Sequence, residues 1–319
     1  MSALVAGLRL DTLRQWMPVV TLVILCAIVG AITPQFLTVE SLLVLAADTA
    51  TLFVLATGQT FVIMLGGIDL SIQAMASLAS VIVALTIDRL GYGSFPLAVF
   101  VGAMAGLAGG LAHVKLRIPS FIATLAVSGV LAGTALVISQ ARSITLDEVQ
   151  RGSLAWVSDT SWGIPHEIFI GAIVLIGAHI VQSRTRFGRY SAAIGAGEAA
   201  AYASGVKVGR QKVLALTLSG AFAGLAGVVL CGRLSSGSPT LANELLLPAI
   251  AAVVVGGTAI TGGVGSIWRT AIGALIISVV RIGMTFVGVN IFAQQIVFGA
   301  VLILAVAITI DRSKIPIVK

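Results

Sequence analysis

Charged residues are scarce in this chain of 319 residues: only 10% are Asp, Glu, Lys or Arg. Soluble domains carry about 25% charged residues, because a folded core needs a polar surface around it. Hydrophobic residues make up 58% of the sequence, which is more than a soluble protein of this length can hide from water. The composition therefore excludes a soluble domain and predicts a protein that is embedded in lipid.

Cysteine and aromatic residues are also few. The two cysteines, Cys26 and Cys231, both fall in apolar stretches, so we expect neither a structural disulfide nor redox chemistry. Glycine is abundant at 36 residues, and glycine lets transmembrane helices approach each other closely. We therefore predict an all-α polytopic membrane protein that forms a single domain over residues 1–319.

Motifs for catalysis and for nucleotide binding are missing. The sequence has no H-E-x-x-H, G-x-S-x-G or CxxC motif, and it has no G-x-x-x-x-G-K-[ST] phosphate loop. Its three histidines, His113, His166 and His179, are scattered, so we expect no metal site. The chain is accordingly not expected to be an enzyme, to hold a cofactor or to bind ATP by that loop.

Long apolar stretches fill most of the sequence. A helix needs about 20 apolar residues to cross the hydrocarbon layer, and ten stretches reach or approach that length. Glycine-rich breaks around Gly66-Gly67 and Gly256-Gly257 predict that the second and eighth stretches are discontinuous or kinked. The ten predicted spans are Met17–Ile32, Leu42–Leu65, Leu70–Ile87, Phe95–Ala112, Phe121–Ser139, Glu167–Val181, Val213–Cys231, Leu245–Ile260, Ala271–Val289 and Ile291–Ile310.

The positive charges fall mostly into alternate connections. With the N-terminus in the cytoplasm, fourteen Lys and Arg residues lie inside and only Arg89, Arg142, Arg151 and Arg233 lie outside, as the positive-inside rule requires. The net charge of +7 is then a topology signal and no indication of nucleic-acid binding. We predict cytoplasmic termini, a cytoplasmic loop at about 184–212 and an external loop at about 140–165.

The external loop contains Trp156 and Trp162. Tryptophan is enriched where membranes meet water, so one interpretation is that both side chains anchor the loop at that interface. The other interpretation is that the loop forms an extracellular cap that contacts a partner.

One octapeptide occurs twice with a single change. Residues 102–109 read GAMAGLAG and residues 220–227 read GAFAGLAG. The two copies lie in spans that are predicted to run in opposite directions, which is consistent with two inverted halves of five helices each. The alternative is that both copies are small-residue stripes for helix packing.

Three ionisable residues fall in or beside apolar spans, where charge is costly and commonly functional. Asp69 precedes a predicted helix, so it is a candidate N-cap or a direct contact for a polar solute. Asp48 needs a polar neighbour, and Arg281 is a candidate partner for either carboxylate. Alternatively, Arg281 faces the transport pathway and favours solutes with some negative charge.

Uncharged polar side chains also interrupt the spans. Amide groups within a membrane either bond between helices or line a wet pathway. The residues that we predict to line a substrate pathway are Gln59, Asp69, Ser71, Gln73, Arg281, Asn290 and Gln294.

The cytoplasmic loop contains a short alanine-rich segment between glycines. Alanine is the best helix former, and Gly197 and Gly205 suit the two ends of a helix over Gly197–Ser204. This helix either transmits force from a cytoplasmic partner or simply connects its neighbours. The candidate coupling residues are Gly197, Glu198, Ala199, Ala200, Ser204 and Gly205.

Three tracts of the sequence resemble one family, in order and over nearly the whole chain. Residues 58–71, GQTFVIMLGGIDLS, resemble the G-x-T-x-V-x-x-x-G-G-I-D-L-S tract of ribose-type sugar ABC-importer permeases. Residues 187–205, from FGRY through EAA to SG, resemble the coupling segment of the same family, and AIAAVVVGGT at 249–258 with GGVG at 262–265 resembles its third tract. Branched-chain amino acid permeases are more distant relatives.

The resemblance implies a type II, binding-protein-dependent importer permease of the bacterial inner membrane. Such a permease is a homodimer with the pathway at its interface. An ATP-binding subunit with two nucleotide-binding modules docks below it, where ATP and Mg²⁺ bind, and a periplasmic solute-binding protein docks above. The segment Gly197–Ser204 would then be the coupling helix.

Four positions depart from the family pattern. Gln73 and Gly197 stand where glycine and asparagine are usual, Pro248 stands where an acidic residue is common, and Arg281 stands where small or polar residues are usual. These departures leave the architecture intact, although plain pentose transport need not be retained. The resemblance implies an importer for a monosaccharide or related polyol. The alternatives are a branched-chain amino acid permease, an ion-coupled secondary transporter that uses Asp48 and Asp69, and a membrane enzyme.

Overall fold

The computed structural model describes residues 18–309, and the fold is helical, as predicted. Residues 1–17 and 310–319, which include the basic residues Arg9, Arg14, Arg312, Lys314 and Lys319, lie outside the described residues. The helices are α1 (Pro18–Ile32), α2 (Val39–Met64), α3 (Ile72–Leu90), α4 (Ser94–Leu116), α5 (Ser120–Ile138), α6 (Glu148–Ser153), α7 (Ala155–Ser158), α8 (His166–Arg184), α9 (Arg186–Ala196), α10 (Glu198–Ala203), α11 (Val208–Leu234), α12 (Leu246–Val255), α13 (Ile267–Phe286) and α14 (Ile291–Thr309).

Each of the ten predicted stretches overlaps an apolar helix. Within residues 18–309, six apolar runs are long enough to cross a membrane, and one of them, Ile72–Leu116, contains α3 and α4 in succession. The helices α1, α12 and α14 are apolar but fall among the shorter ones. An all-α polytopic membrane protein is confirmed, whereas the count of ten crossings and the side of each terminus stay predictions.

The long loops lie at opposite ends of the helical bundle. We call the end that carries residues 184–212 the coupling face and the end that carries residues 140–165 the cap face, and α8 runs between them. Lys115, at the end of α4, lies on the coupling face, while Arg89, at the end of α3, lies on the cap face. The described basic residues thus follow the predicted division between two ends.

Helix α2 lies at the centre of the bundle. Every residue from Ala47 to Met64 is buried, because α8, α11, α12 and α13 all pack around it. A helix that is buried on all sides has to satisfy its polar groups internally. Four threonines of α2 do so by donating their hydroxyl groups to the carbonyl four residues earlier: Thr49, Thr51, Thr57 and Thr60.

The repeated octapeptide forms the contact between α4 and α11. Added Cβ atoms at Gly102 and Gly106 would collide with the backbone of Gly220 and Leu216, and one at Gly220 would collide with Gly102. Residue numbers rise along α4 as they fall along α11, so the helices are antiparallel. The packing-stripe interpretation is therefore confirmed, and the inverted five-plus-five arrangement stays a prediction.

The chain re-enters the bundle after α11 in a segment that forms no α-helix and has a single 3-10 turn at Asn243–Leu245. The segment from residue 235 to 245 contacts the middle of α3, where Ser80 Oγ accepts the Ser238 N–H at 3.2 Å and Ser77 Oγ accepts the Ala242 N–H at 3.0 Å. The short helix α12 follows, with ten residues. The prediction that the eighth stretch is discontinuous is thus confirmed, although the break precedes this helix as well as following it.

The cap face is covered by short elements. Strand β1 (Ile144–Thr145) pairs with β4 (Ser236–Gly237), and β2 (Thr160–Ser161) pairs with β3 (Ile164–Pro165). A capping box of Asp147 and Gln150 begins α6. The β2–β3 turn has positive φ at both of its central residues, Trp162 and Gly163. In a two-residue hairpin this backbone geometry matches the twist of the two flanking strands.

The two cap tryptophans have different surroundings. Trp162 is 92% exposed at the tip of the β2–β3 hairpin, whereas Trp156 packs on Phe95 with ring centroids 5.3 Å apart. Trp156 therefore attaches the cap to α4, and Trp162 projects away from the protein. Both interpretations of the loop, interface anchor and partner contact, stay open for Trp162.

Candidate functional site

The predicted pathway residues form two separate groups. Gln59, Asp69, Ser71 and Gln73 lie in the part of α2 and α3 that is nearest the coupling face. Arg281, Asn290 and Gln294 lie at the other end, around the connection between α13 and α14. Within the first group Asp69 bonds to Ser71, and within the second Thr285 links Gln294 to Arg281. The structure does not join the two groups into one cluster.

Asp69 forms a local turn with Ser71. Its Oδ1 accepts the backbone N–H of Ser71 at 2.9 Å and the Ser71 hydroxyl at 2.5 Å. Helix α3 begins at Ile72 with Ser71 as its N-cap, and no side chain caps it. The prediction that Asp69 caps the helix is therefore wrong: the carboxylate lies two residues before the N-cap position and closes the connecting loop instead.

The same loop is fastened to α5. Ser120 Oγ accepts the Ile68 N–H at 3.1 Å, and Thr124 Oγ1 accepts the Leu70 N–H at 3.0 Å. Burial raises the pKa of the Asp69 carboxyl, and its hydrogen bonds to Ser71 act in the opposite direction. The side chain is fully buried, so direct contact with a solute at Asp69 would require this loop to open.

Two polar residues of α2 near the coupling face have different environments. Gln59 is buried, and neither of its side-chain polar atoms has a hydrogen-bond partner among the described residues. Thr60 instead bonds to Thr270 of α13, with their hydroxyl oxygens 2.8 Å apart. The Thr60–Thr270 bond is interhelical, the commoner use of such groups, whereas Gln59 retains unused hydrogen-bonding capacity.

A charge cluster lies towards the cap face. Asp48 of α2 bridges two arginines: its Oδ1 accepts from Arg233 Nη1 at 2.9 Å, and its Oδ2 accepts from Arg281 Nη2. The expected pairing of Arg281 with a carboxylate is confirmed, and the partner is Asp48. Arg233 was predicted to lie in an external loop. In the structure it lies in the last turn of α11, where its side chain reaches Asp48, and this contact was not predicted.

The remaining cap-side residues lie next to this cluster or at a helix start. Gln294 Nε2 donates to Thr285 Oγ1 at 3.1 Å, and the Thr285 hydroxyl donates to the Arg281 carbonyl at 3.1 Å. Asn290 Oδ1 accepts the Phe292 N–H at 2.8 Å. Gln294 thus connects α14 to the turn that carries Arg281, while Asn290 has a local structural contact.

The re-entrant segment exposes polar groups that sequence reasoning missed. Thr240, Asn243 and Glu244 are exposed, and the side-chain amide of Gln295 donates to Glu244. Non-helical backbone at membrane depth occurs where it is buried in protein or lines a water-filled space. The polar run SSGSPTLANE between two apolar spans was the available signal, and it predicts such a lining.

The alanine-rich helix predicted in the basic loop is present as α10, one residue shorter at each end than expected. Only Ala201 of this helix is buried, and it packs in a cluster with Val62, Leu65 and Ile194. Glu198 pairs with Lys212 of α11 at 2.7 Å. Helix α10 therefore packs on α9 and α11 through one side and presents its other side to solvent.

The loops of the coupling face are packed backbone against backbone. The Gly263 N–H donates to the carbonyl of Met64 at 2.9 Å, and a Cβ at Gly195 would collide with both of these groups. Gln182 of α8 completes the contact, because it donates to the Gly265 carbonyl and accepts the Ile267 N–H, both at 2.9 Å. Displacing α9 and α10 would consequently displace the end of α2.

Two cavities open on the coupling face. One, of about 290 Å³, is lined by Gly66, Gly67, Ser120 and the Glu198–Lys212 pair. The second, of about 610 Å³, adds the basic side chains of Arg117, Lys207 and Arg210. The first cavity lies between Glu198 of α10 and the α2–α3 loop, so the helix has room to move towards that loop. The second lies between α10 and the connection from α4 to α5.

Cysteine takes no part in these sites, and His113 is the one histidine among the described residues that borders them, in the lining of both cavities. Within the described residues, Cys26 and Cys231 are free thiols, and no group of three or more His, Cys, Asp or Glu side chains could hold a metal ion. His113 and His166 contact nearby backbone carbonyls, which is a structural use of both rings.

Known proteins match the chain over most of its length. Residues 41–306 match the family described as "Branched-chain amino acid transport system / permease component". The ribose import permease protein of Escherichia coli (strain K12) is 35% identical over 95% of this chain and 97% of its own length. That of Bacillus subtilis (strain 168) is 38% identical over 93% and 92%.

A third relative is the galactose/methyl galactoside import permease protein of Haemophilus influenzae, which is 31% identical over 97% of each chain. All three relatives named above are import permeases, and the helical fold, the central α2 and the loop at the coupling face are compatible with that class. The chain belongs to the family of transport-system permease components that its residues 41–306 match.

Proposed function

We propose that this chain is the membrane-spanning permease subunit of an ATP-driven importer for a monosaccharide or related polyol. The observation that carries the proposal is the near-full-length similarity to import permeases for ribose and for galactose. A multi-pass protein of the bacterial inner membrane is in keeping with the family and the apolar helices.

The energy source lies in other chains. This sequence has no phosphate loop, so ATP and Mg²⁺ are bound by a partner ATPase with two nucleotide-binding modules at the coupling face. A periplasmic binding protein delivers the solute at the cap face, and a second copy of this chain completes the pathway. The cytoplasmic position of the termini and of residues 184–212 belongs to the same proposal.

Coupling would act through α10. The exposed side of this helix, including Glu198 and Ala199, is free to contact the ATPase. Its buried residue, Ala201, belongs to the apolar cluster that includes Val62 and Leu65 of the α2 end, so a push on α10 reaches the central helix through this cluster and through α9. Nucleotide binding then changes which pathway state is favoured, because the ATPase binds one state more tightly.

A proline substitution tests the role of α10. Tyr202→Pro removes a helical N–H and places the ring against the carbonyl of Glu198, which breaks the helix, while Tyr202 itself is 74% exposed and supports no core. In vesicles that contain the permease with its ATPase and binding protein, the probe is D-ribose or D-ribonate, whichever the unsubstituted permease imports, and we expect its ATP-driven uptake to be lost. The matched control Tyr202→Ala keeps the helix and should keep uptake.

The class of transporter is tested by leaving out ATP, the ATPase or the binding protein, one at a time. Uptake should require ATP, the ATPase and the binding protein together. Vesicles that hold this chain alone and concentrate D-ribose or D-ribonate from an ion gradient would instead establish a secondary transporter and overturn the proposal.

A further inference from the structure

The charge cluster of Asp48, Arg233 and Arg281 is unbalanced. Arginine stays protonated in proteins, so two positive groups share a single carboxylate. Among the described residues, neither arginine makes an ion pair with any other acid. Glu244, the carboxylate of the re-entrant segment, is engaged by Gln295 of α14. The cluster therefore carries a net charge of about +1 within an apolar bundle.

The guanidinium groups also have donors to spare. Each guanidinium has five N–H donors, and one from each arginine is directed at Asp48. Each arginine side chain is 24% exposed, whereas that of Asp48 is only 12% exposed. The carboxylate is thus enclosed behind the arginines, and the unused N–H groups face the accessible space.

This arrangement fits a particular ligand chemistry. Planar guanidinium groups bind carboxylate and phosphate oxygens through parallel hydrogen bonds. Asp48 holds the two arginines on different helices, α11 and α13, so that both can reach one bound group. A purely structural ion pair would need one arginine, and the second supplies the charge that an incoming anion would neutralise.

We infer that the solute of this permease bears an acidic group, as in a sugar acid or a sugar phosphate, and that Arg233 and Arg281 bind that group on its way through the bundle. The inference rests on the proposed import function and specifies the substrate class. It distinguishes this chain from the relatives named for ribose and galactose, which are neutral sugars.

The test compares a matched pair of probes. The full chain, purified in detergent, is melted in the presence of D-ribonate or of D-ribose, which share a carbon skeleton and differ in charge. We expect ribonate to raise the melting temperature and ribose at the same concentration to leave it unchanged. Arg233→Gln and Arg281→Gln should each abolish the ribonate shift, while Arg142→Gln, on the cap loop, should preserve it.

A third variant, Asp48→Asn, is expected to strengthen ribonate binding. Asp48→Asn raises the net charge of the cluster, so ribonate should bind severalfold more tightly and restore part of the melting temperature that the substitution removes. A structural ion triad predicts the same loss of stability with no gain in ribonate affinity, and that result would overturn the inference. If Asp48→Asn does not fold, the two arginine variants decide.

A lipid headgroup offers the same phosphate chemistry. A parallel titration with short-chain phosphatidylglycerol separates the two sources: stabilisation by this lipid but not by ribonate would overturn a solute site. The melting assay contains neither ATP nor an ATPase, so a failure here leaves the proposed import function to be judged by its own uptake experiment.

Discussion

The α4–α11 contact and the α2–α13 contact join helices by different means. In the first, glycines bring the two backbones together, so that even a methyl group would collide. In the second, the helices are linked by a few polar contacts, Asp48 to Arg281 near the cap face and Thr60 to Thr270 near the coupling face. Close backbone packing has one arrangement, whereas polar contacts can exchange partners with water or solute. The comparison indicates that α4 and α11 form a fixed scaffold and that α2 and α13 can shift against each other.

The largest effect on stability is expected from a substitution that forces α4 and α11 apart. Gly106→Leu places a side chain against the backbone of Leu216, and we expect it to lower the free energy of unfolding by about 3 kcal/mol or more. Gly129→Leu in α5 is the matched control, because a Cβ there meets nothing within 4 Å. Thermal melting of both purified variants provides the comparison, and equal melting temperatures would contradict a fixed scaffold.

A smaller effect is expected in the charge cluster. Asp48→Leu leaves two arginines without their carboxylate, and removing one partner of a buried ion pair costs roughly 3 kcal/mol, less where water reaches the arginines. Replacing Asp48, Arg233 and Arg281 together by apolar residues should recover most of that loss. If the triple variant melts as low as Asp48→Leu, the cost comes from packing and not from charge.

The hydroxyl contact between α2 and α13 should contribute less to stability than the charge cluster. Thr60→Val or Thr270→Val alone leaves one buried hydroxyl with only its own helix as partner, and each is expected to cost about 1 kcal/mol. The double variant should cost little more than either single one, since no hydroxyl is then left without its partner. Additive losses in such a double-mutant cycle would show that the two threonines do not interact.

The smallest effect is expected at the coupling face. Glu198 is 56% exposed in its pair with Lys212, and exposed ion pairs contribute about 0.5 kcal/mol. Glu198→Gln should therefore leave the melting temperature nearly unchanged. If this variant loses ATP-driven uptake while its melting temperature is unchanged, the loss is due to contact with the ATPase. That result would support the proposed role of α10.

Much of the fold could be predicted from local sequence. The apolar stretches, the basic asymmetry and the glycine-bracketed α10 all depend on residues close together in the chain, and the structure contains the corresponding helices. The facing glycine stripes of α4 and α11 were also visible, because the two octapeptides are nearly identical.

The site was predicted less completely because it depends on long-range geometry. Asp48 and Arg281 were recognised because a charged side chain within an apolar span is energetically costly. Arg233 is 185 residues from Asp48 in sequence, and from the sequence it resembled an ordinary loop charge. Asp69 was considered a helix cap or a solute contact because it stands at the predicted start of a helix, and its turn with Ser71 was not foreseen. The depth of the re-entrant segment is set by Ser77 and Ser80, which lie about 160 residues away from it.

The short helix α12 also constrains how the protein is made. At 1.5 Å per residue, its ten residues extend only about 15 Å, half the thickness of the hydrocarbon layer. Such a segment gains too little from lipid to insert alone during synthesis. Its stable insertion therefore has to wait until α3 is in place and offers Ser77 and Ser80 to the preceding loop, which makes α12 one of the later parts of the bundle to assemble.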